Sequence, residues 1–158
     1  MKITKEVEEL NEDLQVRLTS LLDLELTLKH VHWNVVGPNF ISVHEMLDDF
    51  VAKVRPMADE VAERIRTLGG VPHGTPQRIV DTRHWEEYPV GRAMTFEHLK
   101  ALDGVYTGIV EDHRKVMEKA ADIDPVTEDL LIGQVAELEL MQWFIDSFLE
   151  NDGKPAKT

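Results

Sequence analysis

The strongest constraint on the fold is a helical spacing of apolar residues that persists over very long stretches of the chain. In the first stretch the apolar positions recur every three or four residues, at Leu10, Leu14, Leu18, Leu21, Leu22, Leu28 and Val31. This spacing lines one face of a helix, and we predict a first helix from Lys5 to Asn34. No strand-like alternation of useful length is present, so the pattern predicts an all-α fold.

Glycine and proline mark where the first helix ends and the second begins. Gly37 and Pro38 break the first helix, and a second long helix is predicted from Ser42 to Leu68, before a pair of glycines. Pro56 falls inside it, and because proline has no backbone N–H we expect either a kink or an irregular turn there.

Two further helices are predicted in the second half of the chain. Thr95 is a suitable N-cap for a third helix ending near Ala121. Asp124 followed by Pro125 combines a capping carboxylate with a first-turn proline, and we predict a fourth helix from there to about Glu150.

The connection between the second and third helices identifies the topology. Residues 71–94 are rich in proline, glycine and charge, and are predicted to form a long crossover with a short helix inside it. Such a crossover makes the second and third helices parallel, which is the arrangement of a ferritin-like four-helix bundle. We expect residues 1–158 to form a single domain, with short polar tails at about 1–4 and 151–158.

Composition narrows the classes of function. The formal net charge is −13, which repels phosphate backbones and attracts cations. There is no cysteine, so disulfides and thiolate-ligated metals are excluded. The N-terminus lacks the apolar core of a signal peptide, and no run approaches the ~18–20 apolar residues of a membrane span. These features predict a cytoplasmic protein without membrane contact.

Five side chains form the candidate functional set: His32, His44, Asp48, Asp59 and Glu63. The last four make two pairs, each one helical turn apart, and the pairs face the same way because eleven residues are about three turns. They are also separated by roughly 16 Å of helix rise, which a single ion cannot span. A second copy of the helix, running antiparallel, could bring one pair beside the other. The spacing therefore predicts a metal site between subunits.

The ligand types indicate which metal. His32 lies near the end of the first helix and can approach His44 across the turn. Two imidazoles and three carboxylates suit a first-row metal such as iron. For either pair alone, a surface ion pair is the commoner interpretation; the combination favours metal binding.

The segments that hold these residues resemble a known family. HWNVVGPNFISVHEMLDDF (residues 32–50), followed by DEVAERI (residues 59–65), resembles the Dps family, the miniferritins that protect bacterial DNA during starvation. The intervals of twelve, four, eleven and four residues between the five side chains match the spacing of that family's ferroxidase ligands. ELELMQWFIDSFLE (residues 137–150) is similar to the family's last helix.

The resemblance implies a dodecameric cage with ferroxidase centres at its two-fold interfaces. His32, His44 and Asp48 would come from one subunit, and Asp59 and Glu63 from its partner. Iron(II) would be oxidised there, preferentially by hydrogen peroxide, and stored as a ferric mineral, which protects against oxidative stress.

The resemblance also suggests roles for neighbouring residues. Trp33 would lie near the metal centre, with ordinary core packing as the alternative, and Lys29 could form a salt bridge across the dimer. Trp143 is interpreted as core or interface packing. His30 is expected to point away from the site. The other histidines are interpreted as surface or core residues: His73, His84, His98 and His113.

Acidic residues near the start of the last helix match the family's three-fold pores, through which iron would enter. They are Asp124, Asp129 and Glu137. Rings of carboxylates attract cations. The alternatives are an N-cap for Asp124 and a solvated helix face for Asp129.

DNA binding is expected to be weak or absent. The first fifteen residues hold only Lys2 and Lys5 against five acids, and the C-terminal tail offers only Lys154 and Lys157. Nonspecific DNA affinity requires clustered positive charge. An architectural DNA-protecting shell, associated with the nucleoid and with secondary iron chemistry, is therefore the alternative function.

A di-iron site inside one bundle is a further alternative. Such sites use Glu and Glu-x-x-His sets. The third predicted helix offers Glu111 and His113 at the wrong spacing, and the fourth has no histidine, so this interpretation fails.

Overall fold

The computed structural model describes residues 3–150; Lys2 and the tail lysines Lys154 and Lys157 lie outside the described residues. The elements in chain order are α1 (Lys5–Asn34), β1 (Val35–Val36), α2 (Phe40–Thr67), α3 (Pro76–Thr82), β2 (Ala93–Met94), α4 (Thr95–Ala121) and α5 (Pro125–Leu149). The predicted helical bundle is confirmed. The first helix has the predicted bounds, and the second begins two residues earlier than predicted.

Pairs of side chains between helices show how the four long helices run. Lys53 contacts Glu137, while Arg64 contacts Asp124, so α2 and α5 are antiparallel. Asp103 bonds to Gln142 and Arg114 to Glu139, so α4 and α5 are antiparallel as well. Because α2 and α4 are both antiparallel to α5, they are parallel to each other, as the crossover predicts.

One continuous apolar core lies between the four long helices. Leucines, valines and isoleucines at helical spacing fill it, with Phe50 and Tyr106 as its aromatic members. The helices of the described region contain none that is both long and apolar enough to cross a membrane.

The crossover contains the predicted short helix, α3, and also a strand pair that the sequence did not indicate. Val35 and Val36 of β1 pair in parallel with Ala93 and Met94 of β2. Two residues per strand are too few to show an alternating pattern. The pair holds the end of the crossover against the α1–α2 turn.

The helix boundaries correct one prediction and confirm another. Thr95 is not an N-cap: it is the first residue of α4, and its Oγ1 donates to the carbonyl of Pro38 at 2.8 Å. Asp124 is the N-cap of α5, and its side chain accepts from the backbone N–H of Thr127. Pro56 lies inside a continuous α2, so no irregular turn intervenes there.

Candidate metal centre

The α1–α2 hairpin brings His32 and His44 into direct contact. Their rings stack with centroids 3.6 Å apart and planes 18° from parallel. The Nδ1 of His32 lies 2.8 Å from the carbonyl oxygen of His44, and the Nδ1 of His44 lies 2.9 Å from the carbonyl oxygen of His32. The two residues therefore hold each other through a reciprocal pair of hydrogen bonds.

These bonds determine which ring nitrogen can bind a metal. A carbonyl oxygen only accepts, so each Nδ1 must carry the hydrogen and donate it. In the neutral ring the lone pair then belongs to Nε2, the nitrogen that remains available to an ion. Backbone carbonyls commonly orient metal-binding histidines in this way. The hairpin thus prepares two nitrogen ligands side by side.

Asp48 adds a carboxylate to the pair of imidazoles. Its Oδ1 lies 3.5 Å from the Nδ1 of His32 and 2.7 Å from the Nζ of Lys29. The hydrogen bond from Lys29 is the main cause that lowers the pKa of Asp48, while desolvation opposes it. The side chain of Asp48 is 54% exposed, so a further ion or subunit can reach it.

Lys29 makes a contact that we did not predict from the sequence. It binds Asp48 within the same chain, and a salt bridge from Lys29 across a dimer stays a prediction. Its position one turn before His32 on α1, opposite Asp48 on α2, was the available signal. Lys29 also lies 5.7 Å from the ring centre of Trp33.

Asp59 and Glu63 lie further along α2 and do not join this group. Both are exposed, and within residues 3–150 neither carboxylate forms an ion pair or a side-chain hydrogen bond. Asp59 lines a groove together with Leu18 and Leu22 of α1, so it lies on the α1 side of α2, as Asp48 does.

The structure therefore brings together three of the five predicted side chains and leaves two apart. Among the described residues of one chain, no group of three or more His, Asp or Glu side chains is arranged to hold a metal ion. That all five form one site remains a prediction.

Exposed aromatic residues surround the candidate centre and the far side of α5. Trp33 is 71% exposed, so core packing within the chain is wrong for this residue. Trp143 is 60% exposed, which likewise rules out the core and leaves interface packing as its predicted role. Phe40 packs near His44, with ring centroids 5.0 Å apart.

The remaining histidines take no part in the centre. His30 points away, as predicted, and its Nε2 lies 2.7 Å from the carbonyl of Val90. His73 and His84 are exposed. His98 and His113 are fully buried; Nδ1 of His98 bonds to the Tyr88 hydroxyl.

The acidic residues predicted to line a pore differ in how far they are already paired. Asp124 bonds to Arg64 and Thr127, and these bonds lower its pKa although burial opposes them. Glu137 forms a 2.8 Å ion pair with Lys53. Asp129 is exposed and has no side-chain partner among residues 3–150. The N-cap role of Asp124 is thus observed, and the pore role of all three stays a prediction.

Comparison with known proteins identifies the family. A family model described as a ferritin-like domain matches residues 8–154. The DNA protection during starvation protein of Mycolicibacterium smegmatis is 57% identical over 140 residues, which cover 89% of this chain and 76% of that protein. The fine tangled pili major subunit of Haemophilus ducreyi is 52% identical over 140 residues, covering 89% of this chain and 74% of that protein.

Solved structures agree. DpsA14 from Streptomyces coelicolor superposes with a TM-score of 0.92 at 56% identity, covering 98% of this chain and 92% of that chain. The ferritin-like bundle, the matching family model and these relatives lead to one conclusion: the chain belongs to the Dps family of ferritin-like proteins.

Proposed function

We propose that this protein is a ferroxidase and iron-storage cage whose oxidation sites form between two subunits. The observation that carries the proposal is the prepared pair of imidazoles beside a carboxylate. In both His32 and His44, Nδ1 donates a hydrogen bond to a backbone carbonyl, which leaves Nε2 available. Asp48 lies next to them with its pKa lowered. Nitrogen and oxygen ligands of this kind suit ferrous iron and its ferric product.

Each residue has a definite part in the proposal. His32 and His44 supply neutral nitrogen ligands, and Asp48 supplies negative charge held in place by Lys29. Asp59 and Glu63 of a second copy complete the site, because along one helix they are roughly 16 Å of rise away from Asp48. Their carboxylates are exposed and, among residues 3–150, have no ion-pair partner, so they are available for such a contact.

The iron is the substrate, and hydrogen peroxide is the proposed oxidant. Two iron(II) ions each give up one electron. One peroxide molecule takes both electrons together with two protons and leaves as two water molecules, so no hydroxyl radical is released. Trp33 directly follows His32, and its exposed ring can intercept stray oxidising equivalents there. The ferric product is stored inside a cage of twelve subunits in the cytoplasm.

Iron entry is proposed to use three-fold pores near the start of α5. Asp129 is the leading candidate, because its carboxylate is exposed and has no partner within residues 3–150. Glu137 and Asp124 would contribute negative potential while paired with Lys53 and Arg64. A like-charged ring concentrates cations at its mouth.

Peroxide-driven iron oxidation tests the proposal directly. The assembled protein is loaded with iron(II) without oxygen, peroxide is added, and absorbance and particle mass are followed. We expect fast oxidation by the natural protein and a loss of about ten- to a hundredfold in His44→Ala, in line with the usual effect of altering a metal site. His84→Ala, an exposed histidine outside the centre, is the control. Oxidation no faster than in buffer would refute the ferroxidase function.

The second candidate function is a DNA-protecting shell, favoured by the name of the relative from Mycolicibacterium smegmatis, a DNA protection during starvation protein. The net charge of −13 argues against it, because DNA affinity comes mainly from cationic contacts with phosphates. Lys5, the first lysine of the described region, already faces Glu9 at 3.6 Å. We therefore propose that DNA binding is weak or absent at physiological salt.

A further inference from the structure

A cavity of about 400 Å³ lies away from the candidate metal centre, between α1, α4 and the end of the crossover. None of the five candidate ligands lines it. Its walls are mainly apolar and include Leu24, Val105 and Ile109, while Trp85 and Tyr88 of the crossover cover it. The volume falls within the range of pockets that hold small organic molecules.

Two glycines keep this cavity open. Gly104 and Gly108 lie one turn apart in α4, and both line the cavity. A Cβ atom added at either position would meet no atom within 4 Å. Glycine inside a helix costs roughly 1 kcal/mol relative to alanine, so each position gives up stability although a larger residue would fit. The effect of these two glycines is to leave the cavity unfilled.

A buried cation lines the same cavity. The Arg17 side chain is 3% exposed, and its Nη2 lies 3.7 Å from Asp112, too far for a hydrogen bond. Within residues 3–150 its Nε and Nη1 have no hydrogen-bond partner. Burial lowers the pKa of Arg17, although the nearby charges of Asp112 and Asp13 oppose this effect. A buried guanidinium in this condition gains from an added anionic acceptor.

Four acids line the cavity, and they differ in pairing and exposure. Asp23 accepts a 2.7 Å hydrogen bond from Nε1 of Trp85. Asp112 accepts from Lys115 at 2.9 Å. Glu86 and Glu87 are exposed to solvent. Arg17 is the charged lining residue that is buried and, within residues 3–150, keeps N–H groups without an acceptor, so a carboxylate is favoured over an amine at this end of the cavity.

We infer that this cavity binds an amphipathic organic carboxylate, with the acid group at Arg17 and the apolar body against the glycine-lined wall of α4. This site is independent of the proposed iron chemistry.

Calorimetric titration of the assembled protein with decanoate tests the inference, with decanol and decylamine as the neutral and cationic probes. Native mass spectrometry counts the bound molecules. We expect one decanoate per subunit and at least about tenfold weaker binding of decylamine. Absence of decanoate binding, or equal binding of decylamine, would overturn the inference.

Two variants locate the site. Gly108→Leu fills the cavity and is expected to weaken decanoate binding at least about tenfold. Gly133→Leu is the matched control, because Gly133 also lies in a helix with nothing within 4 Å but outside this cavity. Equal affinity in both leucine variants would contradict the location.

Arg17→Met removes the cation while keeping an apolar side chain of similar length, and Asp112 keeps its hydrogen bond from Lys115 in this variant. We expect decanoate and decanol to bind equally to it. A retained preference for decanoate would show that Arg17 does not hold the acid group. If this variant fails to assemble, the Gly108→Leu result and the order of the three probes decide.

Discussion

His113 is fully buried in α4, and its Nε2 lies 3.3 Å from the Oε1 of Gln134. Burial, with a smaller effect of the Arg17 charge, lowers the pKa of His113 to about 4 from the ordinary 6.5. Below pH 6.5 His113 therefore binds a proton in the unfolded chain but stays neutral in the folded chain. The free energy of unfolding falls as the pH drops from 6.5 towards 4, by about 2 kcal/mol per chain at pH 5.

Removing this histidine should flatten that dependence. In His113→Gln we expect the denaturation midpoint to change less between pH 7 and pH 5 than in the natural protein, because no titrating group remains at the position. The measurement is chemical denaturation followed by circular dichroism at both pH values. His84→Gln, at an exposed position, is the control. An unchanged pH dependence in His113→Gln would show that other groups cause the acid sensitivity.

At the same scale, the sequence could predict which residues approach one another but not how their side chains are oriented. The approach of His32 to His44 followed from their positions on either side of one turn. The bonds from Nδ1 to the opposite carbonyls did not, because they depend on ring rotamers. The prediction that Thr95 is an N-cap was wrong for a similar reason, because its hydroxyl donates to the carbonyl of Pro38, 57 positions away in the sequence.

Among the secondary-structure elements, the α1–α2 turn has the greatest effect on the candidate centre. Gly37 has a φ of +92°, a backbone angle that residues with a side chain rarely adopt, and a Cβ there would lie 2.6 Å from Cε of Met94. Gly37→Ala should therefore lower the free energy of unfolding by about 1–2 kcal/mol, the cost of the left-handed backbone. Iron oxidation should fall as well, because the turn sets the distance between His32 and His44.

Gly91→Ala is the matched control for this turn, since a Cβ at Gly91 meets nothing within 4 Å and its φ lies outside the left-handed region. Denaturation midpoints and oxidation rates of both variants are compared with those of the natural protein. Equal stability of the two alanine variants would mean that the turn tolerates a side chain at Gly37.

The elements themselves were largely predictable from the sequence. The long helices carry apolar residues at helical spacing, and a glycine or proline follows each of them within four positions of the sequence, so their limits followed within two residues. The strand pair was missed because two residues show no period, and its formation depends on the crossover returning to Val35 and Val36. The path of α2 through Pro56 was left open, because the packing around a helix decides whether proline interrupts it.

For the whole molecule, the central expectation is that activity requires two chains. We predict that His44→Ala and Asp59→Ala each lose about tenfold or more of the oxidation rate, and that mixing them restores part of it. In a mixed dimer one site carries both defects and the other carries neither. Random exchange at equal amounts should therefore recover about a quarter of the natural rate, given two-fold symmetry.

Subunit exchange must be verified by mass spectrometry of labelled chains before the rates are compared. A mixture of His44→Ala with His32→Ala is the matched control, because both changes fall on the same half of the proposed site and no intact site can form. Failure of the first mixture to exceed this control, after exchange, would argue against shared sites.

The charge of the complete molecule gives a separate prediction about DNA. A shell of subunits carrying −13 each should not retard plasmid in a gel at ~150 mM salt, where screening leaves only close contacts effective. A variant with Lys residues added at the C-terminus is the positive control. Retardation by the natural assembly would overturn the expectation and support the DNA-protecting function.

The reciprocal bonds between His32 and His44 have a consequence for the shape of the α1–α2 hairpin. Each Nδ1–H is engaged by a carbonyl across the turn, so the two helix ends are fastened together by the same residues that offer Nε2 to a metal. A ligand that arrives at or leaves Nε2 disturbs neither hydrogen bond. The hairpin therefore keeps one geometry through repeated binding and release, and the helix ends need not rearrange between cycles.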